Sequence, residues 1–235
     1  MICMDEDVQA AAARLVRRIK EGGHSITVAE SCTGGLLSSA FTDISGASAW
    51  FNQAWITYSN DAKIKELDVR TESIEKKGAV SAEVAIQMAQ GALKKAGADI
   101  AISITGIAGP KNDGTHKKVG LVYVGIASNN WANAESTEIG GNRAENKIGF
   151  VHFALLSTIK RWDQAMAQNE EQLLEFERQK AEKEAEAEAE AKAEAELINS
   201  RIEDANEDAR EAKIRARIRA AIKSDRLERR AGNME

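Results

Sequence analysis

Ser25-Ile26-Thr27-Val28-Ala29-Glu30-Ser31-Cys32-Thr33-Gly34-Gly35-Leu36-Leu37-Ser38-Ser39-Ala40-Phe41 contains the change of period that decides the fold. Residues 25–28 are β-branched and alternating, whereas residues 36–41 carry apolar groups at helical spacing, so a strand gives way to a helix around Ser31. Gly34 and Gly35 lie at the junction, where they let backbone N–H groups approach a ligand. A helix starting there adds a partial positive charge suited to an anion or a developing oxyanion. Ser and Thr ahead of a helix are also ordinary N-caps. This stretch alone leaves both readings open.

Upstream, Asp7 to Glu21 forms an amphipathic pattern with Val8, Ala12, Leu15, Val16 and Ile19 on one face, closed by Gly22-Gly23. Downstream, Trp50 to Tyr58 is rich in aromatic and β-branched residues and predicts a strand. Ser59-Asn60-Asp61 is a capping signature for a short helix from Ala62 to Leu67, which creates a second strand-to-helix corner with Lys63 on its first turn. Glu72 and Lys76 mark a further helical piece, and Ser81 opens another that runs to Ala96 with Val84, Met88, Ala92 and Leu93 buried. Strands follow at 99–104, 119–127 and 131–139, and Gly140-Gly141-Asn142-Arg143 leads into a final helix. This order predicts an α/β three-layer sandwich, its central sheet covered by helices on both faces, with ligands at the strand ends and a long charged helix at the C-terminus.

Composition divides the chain at about residue 163. All four Trp, both Tyr, four of five Phe and 16 of 17 Gly lie before that point. Residues 1–163 hold 18 basic and 18 acidic side chains, and residues 164–235 hold 14 and 19, so the second part carries the whole net charge of −5. The expectation is a globular domain over 1–163 and a charged, mainly helical extension over 164–235. About 160 residues suffice for a self-sufficient core. Two cysteines, Cys3 and Cys32, make no disulfide framework. The absence of a signal-like N-terminus and of any long apolar run points to a cytoplasmic protein with no membrane segment. His24, His116 and His152 are too scattered for a zinc signature, and neither a metal nor a cofactor is expected.

A serine nucleophile needs a base, and none of the three histidines is well placed. A lysine serves if burial or neighbouring positive charge lowers its pKa from about 10.4 toward 7 to 8. Lys63 stands on a helix first turn, where the dipole disfavours positive charge, and Tyr58 is placed to relay a proton or orient the amine. An isolated lysine of this kind is usually a solvated surface residue.

Five stretches together carry a family resemblance: Ala29-Glu30-Ser31-Cys32-Thr33-Gly34-Gly35, Trp55-Ile56-Thr57-Tyr58-Ser59-Asn60-Asp61-Ala62-Lys63, Gly78-Ala79-Val80-Ser81, Thr105-Gly106-Ile107-Ala108-Gly109-Pro110 and Val119-Gly120-Leu121-Val122-Tyr123. In order and spacing, over about residues 8 to 162, the chain resembles the CinA C-terminal domain family. The resemblance implies a stand-alone nicotinamide-nucleotide amidase that converts nicotinamide mononucleotide to nicotinate mononucleotide and ammonia. It also implies Ser31 as nucleophile and Lys63 as base, with Tyr58 assisting. Thr105, the loop from Gly106 to Gly109, and Arg143 are implied to contact substrate, with Arg143 answering the phosphate. Backbone donors of Thr33, Gly34 and Gly35 are the expected oxyanion site.

Two departures from the family pattern stand out: Asn142 where Asp is common and Lys118 where Pro is common. The loop from 106 to 118 is expected to alter substrate fit. Cys32 rivals Ser31 on intrinsic nucleophilicity, but the family pattern favours the serine. The alternative reading is a catalytically retired domain that serves as a scaffold or structural attachment protein through its tail.

From Gln179 to Glu196 the chain is almost entirely Ala, Glu and Lys, all strong helix formers. No large apolar residue occurs between Arg178 and Leu197, which predicts a solvated single helix in place of a leucine-seamed coiled coil. Glu182, Glu186 and Glu190, four apart, weaken it. The sign then reverses: Arg210 to Arg230 holds nine basic residues against three acidic, with Ile214, Ile218 and Ile222 in a stripe. A homo-oligomer, or a partner protein held by the tail, is expected. Nucleic acid is disfavoured because stacking aromatics are missing.

Overall fold

A computed structural model describes the backbone of residues 5–112 and 114–231. Cys3, Asp113 and the side chains at 204, 205 and 220–231, which include Ile222, Lys223, Arg226, Arg229 and Arg230, lie outside the described residues. The chain forms two compact units, 1–167 and 168–235.

In the first unit the elements are α1 (Glu6–Glu21), β1 (Ile26–Glu30), α2 (Leu36–Thr42), a 3-10 turn (Ala47–Ala49), β2 (Phe51–Ile56), α3 (Asn60–Leu67), α4 (Thr71–Lys77), α5 (Ala82–Ala96), β3 (Ile100–Gly106), β4 (Leu121–Ser128) and β5 (Ala132–Glu138). The last element is α6 (Arg143–Ala231). The five strands form one mixed sheet in the order β2-β1-β3-β4-β5, in which β2, β1, β3 and β5 run one way and β4 runs against its neighbours β3 and β5. Among the described residues no helix is long and apolar enough to cross a membrane.

Side-chain alternation builds the two faces. Val28, Ile102, Ile104, Val122, Val124 and Ile126 point to one side, where they meet Leu15 and Ile19 of α1, Phe41 of α2, and Phe150, Val151 and Leu155 of α6. The opposite side presents small residues, Ala29, Ala101 and Ala127, to Met88, Ala89 and Ala92 of α5. Small residues matter because α5 lies close to the sheet: the Ser103 hydroxyl donates to the Ala85 carbonyl (2.6 Å), and a Cβ on Gly125 would strike that same carbonyl. Interior β1 is buried at all five positions, since helices cover both its faces; period-2 exposure does not apply to an interior parallel strand. β2 is one of the two edge strands and largely exposed, although Trp50 just before it packs edge-on against Phe41.

The two connections that follow β1 run in opposite directions along the sheet. α2 carries the chain from β1 to β2 on one side of the strand, and α3, α4 and α5 lead from β2 to β3 on its other side. The crevice between such diverging connections, at the C-terminal strand ends, is where ligands bind in open α/β sheets.

Candidate active site

Parallel register brings the site together. Glu30 pairs with Ile56 on one side and Ile104 on the other. The ladder then continues one step, with the Thr57 N–H donating to the Glu30 carbonyl (2.8 Å) and the Ser31 N–H to the Ile104 carbonyl (3.0 Å). Residues 31, 57 and 105, far apart in sequence, thus emerge side by side at one sheet edge. A cavity of about 250 Å³ opens there, lined by Ser31, Tyr58, Lys63, Thr105, Gly106, Gly109 and Arg143, and also by Cys32, Asn60 and Lys111.

Lys63 enters from α3, whose N-cap Ser59 accepts from the Ala62 N–H (3.1 Å). Its side chain is 1% exposed. Nζ lies 2.9 Å from Ser31 Oγ, 2.9 Å from the Thr57 carbonyl and 3.3 Å from the Tyr58 carbonyl. Burial lowers its pKa to about 8, since the charged amine loses hydration that no carboxylate replaces. Two carbonyls can accept only from Nζ, so a neutral amine spends both protons on them and turns its lone pair to the Ser31 hydroxyl. This arrangement suits a general base.

Glu30 is the feature that sequence reasoning missed. Its fully buried carboxylate accepts from the N–H groups of Gly35 (2.9 Å), Leu37 (3.2 Å) and Ser38 (2.7 Å) and from the Ser38 hydroxyl (2.7 Å). An internal anion therefore occupies the N-terminus of α2. The expected oxyanion site at Thr33, Gly34 and Gly35 is corrected accordingly: the Gly35 N–H is spent on Glu30, the Gly34 N–H on the Ser31 carbonyl (3.1 Å), and none of the three residues lines the cavity. Of the other turn donors, the Thr33 N–H has no acceptor among the described residues. Neither Ser31 nor Thr33 caps α2. Its N-cap is Gly35 at φ 97°, a left-handed conformation that glycine adopts without strain.

Tyr58 does not sit as expected either. Its backbone carbonyl, not its phenol, holds Lys63, and the 59% exposed ring accepts from Arg143 through its hydroxyl (2.8 Å). Arg143 also donates to the Gly109 carbonyl, which ties the 106–109 loop to the start of α6. Asn142 caps that helix: its Oδ1 accepts from the Ala144 (2.9 Å) and Glu145 (3.2 Å) N–H groups, while its own N–H donates to the Glu145 carboxylate (2.8 Å). This is a capping box, which Asn builds as well as Asp.

Thr105 is buried and donates to the Ala79 carbonyl (2.9 Å). Lys117 fastens the 111–118 loop beside the cavity through bonds to the Lys77 and Val80 carbonyls, each 2.7 Å. Burial pushes the Cys32 thiol up to about 12, and the residue packs into the core cluster, which makes it a poor rival to Ser31. His116 is exposed and outside the cavity. Among the described residues no cluster of His, Cys, Asp and Glu is arranged to hold a metal.

The family model of the CinA C-terminal domain matches residues 8–161. A CinA-like protein of Geotalea daltonii is 40% identical over 156 residues, covering 66% of this chain and 38% of that protein. A CinA-like protein of Kosmotoga olearia is 45% identical over 141 residues, covering 60% and 34% respectively. This chain thus spans little more than a third of the length of these curated relatives. Among solved structures, the competence/damage inducible protein CihA from Agrobacterium tumefaciens superposes with a TM-score of 0.65 at 38% identity, covering 68% of this chain and 98% of that one.

Proposed function

Because this chain belongs to the CinA C-terminal domain family, we propose that its first unit is an amidohydrolase in which Ser31 attacks an amide carbon and Lys63 moves the proton. The observation that carries this reading is the buried 2.9 Å contact between Lys63 Nζ and Ser31 Oγ, with two carbonyls orienting the amine. Neutral Lys63 takes the Ser31 proton as Oγ bonds to the carboxamide carbon, and returns it to the departing nitrogen as the C–N bond breaks. Ammonia leaves. Water then attacks the acyl-serine ester, Lys63 taking its proton and returning it to Ser31 Oγ as the C–Oγ bond breaks and the acid leaves.

Nicotinamide mononucleotide is the proposed substrate. Its carboxamide supplies the scissile bond, and its phosphate suits a cavity bordered by Arg143 and Lys111. Arg143 spends two of its five donors on Gly109 and Tyr58, which fixes the guanidinium while leaving donors for phosphate oxygens. The substrate test is stoichiometry: the purified chain should release one ammonia per nicotinate mononucleotide formed, and should act far more slowly on the dephosphorylated nucleoside. A folded chain that releases no ammonia from the mononucleotide would overturn the assignment.

A further inference from the structure

In the second unit, α6 is helical without interruption from residue 168 through Ala231, and its described side chains are exposed. Residues 182–196 carry seven Glu and two Lys; residues 210–219 carry five basic residues and one Glu. Ion pairs within the described part of this helix join Arg178 with Glu175 and Glu182, Lys180 with Glu184, and Arg215 with Glu211. Glu186, Glu188, Glu190, Lys213, Arg217 and Arg219 take part in none of them. Each segment therefore repels itself, because like charges four apart destabilise a helix.

We infer that this helix pairs antiparallel with the same helix of a second copy, about a twofold axis between Arg201 and Ile202. In that register Lys213 stands level with Glu190, Arg215 with Glu188, Arg217 with Glu186 and Arg219 with Glu184. Glu211, the lone acid of the basic segment, stands level with Lys192 of the partner. Residues two apart lie on opposite faces of a helix, so the selection is of segment over segment: antiparallel pairing sets the basic segment of each copy along the acidic segment of the other. Parallel pairing sets acid against acid.

Ile214 and Ile218, half exposed at 51% and 54%, fall level with Ala189 and Ala185. Alanine allows helix axes to approach toward the low end of the 8–10 Å range, so no leucine seam is required. Folding back within one chain is ruled against by the unbroken helix and by the absence of Gly and Pro between 168 and 231. Twofold symmetry makes every opposed pair occur twice. This inference stands apart from the amidase reading.

The test uses full-length chains carrying Cys3→Ser, with buried Cys32 left in place. A mixture of Ala189→Cys and Ile214→Cys chains should form inter-copy disulfides under mild oxidation, and neither chain alone should do so. Cross-linking should fall several-fold in high salt. Adding Lys213→Glu, Arg215→Glu and Arg217→Glu to the Ile214→Cys chain should abolish it. Adding Glu186→Lys, Glu188→Lys and Glu190→Lys to the other chain should then restore it. Self-linking of Ala189→Cys would show parallel pairing, and absence of any link in the mixture would show that the helix is unpaired or serves another partner; either result overturns the inference.

Discussion

At Lys63 the energetics of burial and the proposed chemistry coincide. The amine is held near pKa 8 against 10.5 for the free group. Between those values the unfolded chain carries a proton that the folded chain lacks, so stability should rise with pH across that window, and the penalty is fully present below it. The penalty is on the order of 3 kcal/mol. Urea titrations of the wild type and Lys63→Met from pH 7 to 10.5 should show this rise in the wild type and its loss in the variant. The same group should set a rising limb in kcat/KM with a midpoint near 8. Glu30→Gln places an amide donor where one oxygen accepts from N–H groups, so it should cost about 1–3 kcal/mol of stability by denaturation and lower kcat by loosening the Ser31 turn. The strand-to-helix corners that carry Ser31 and Lys63 were legible from sequence because strand-end and helix-start signals flank both. Glu30 was not, because nothing in its position as the last strand residue shows that its carboxylate turns back onto the helix that follows.

The elements themselves were largely readable, since hydrophobic period and capping residues such as Ser59 and Ser81 mark them directly. Which strand lies at the edge is a property of pairing, and exposed β2 with its aromatic content looks like an interior strand when read alone. Close packing of α5 on the sheet was equally hidden, because Gly125 reads as a weak point in a strand until the Ala85 carbonyl is seen against it. Gly125→Ala should therefore overpack this layer and cost about 1–3 kcal/mol, lowering the unfolding midpoint. The site's assembly depends on the same layer: the Ala79 carbonyl held by Thr105 precedes α5, and Lys63 precedes it through α3.

Across the whole molecule, composition predicted a break near residue 163, and the two compact units meet at residues 167 and 168. Every buried apolar residue among those described lies at or before Ile159. A chain ending at Ala167 should accordingly keep cooperative unfolding and its activity per active site, measured beside the full chain. The most direct test of the central claim is the turnover of nicotinamide mononucleotide by Ser31→Ala, followed as ammonia release beside the wild type with circular dichroism confirming the fold. The wild type should turn over and the variant should lose at least about 10³-fold in kcat. A folded Ser31→Ala chain that releases ammonia at the wild-type rate would contradict the account.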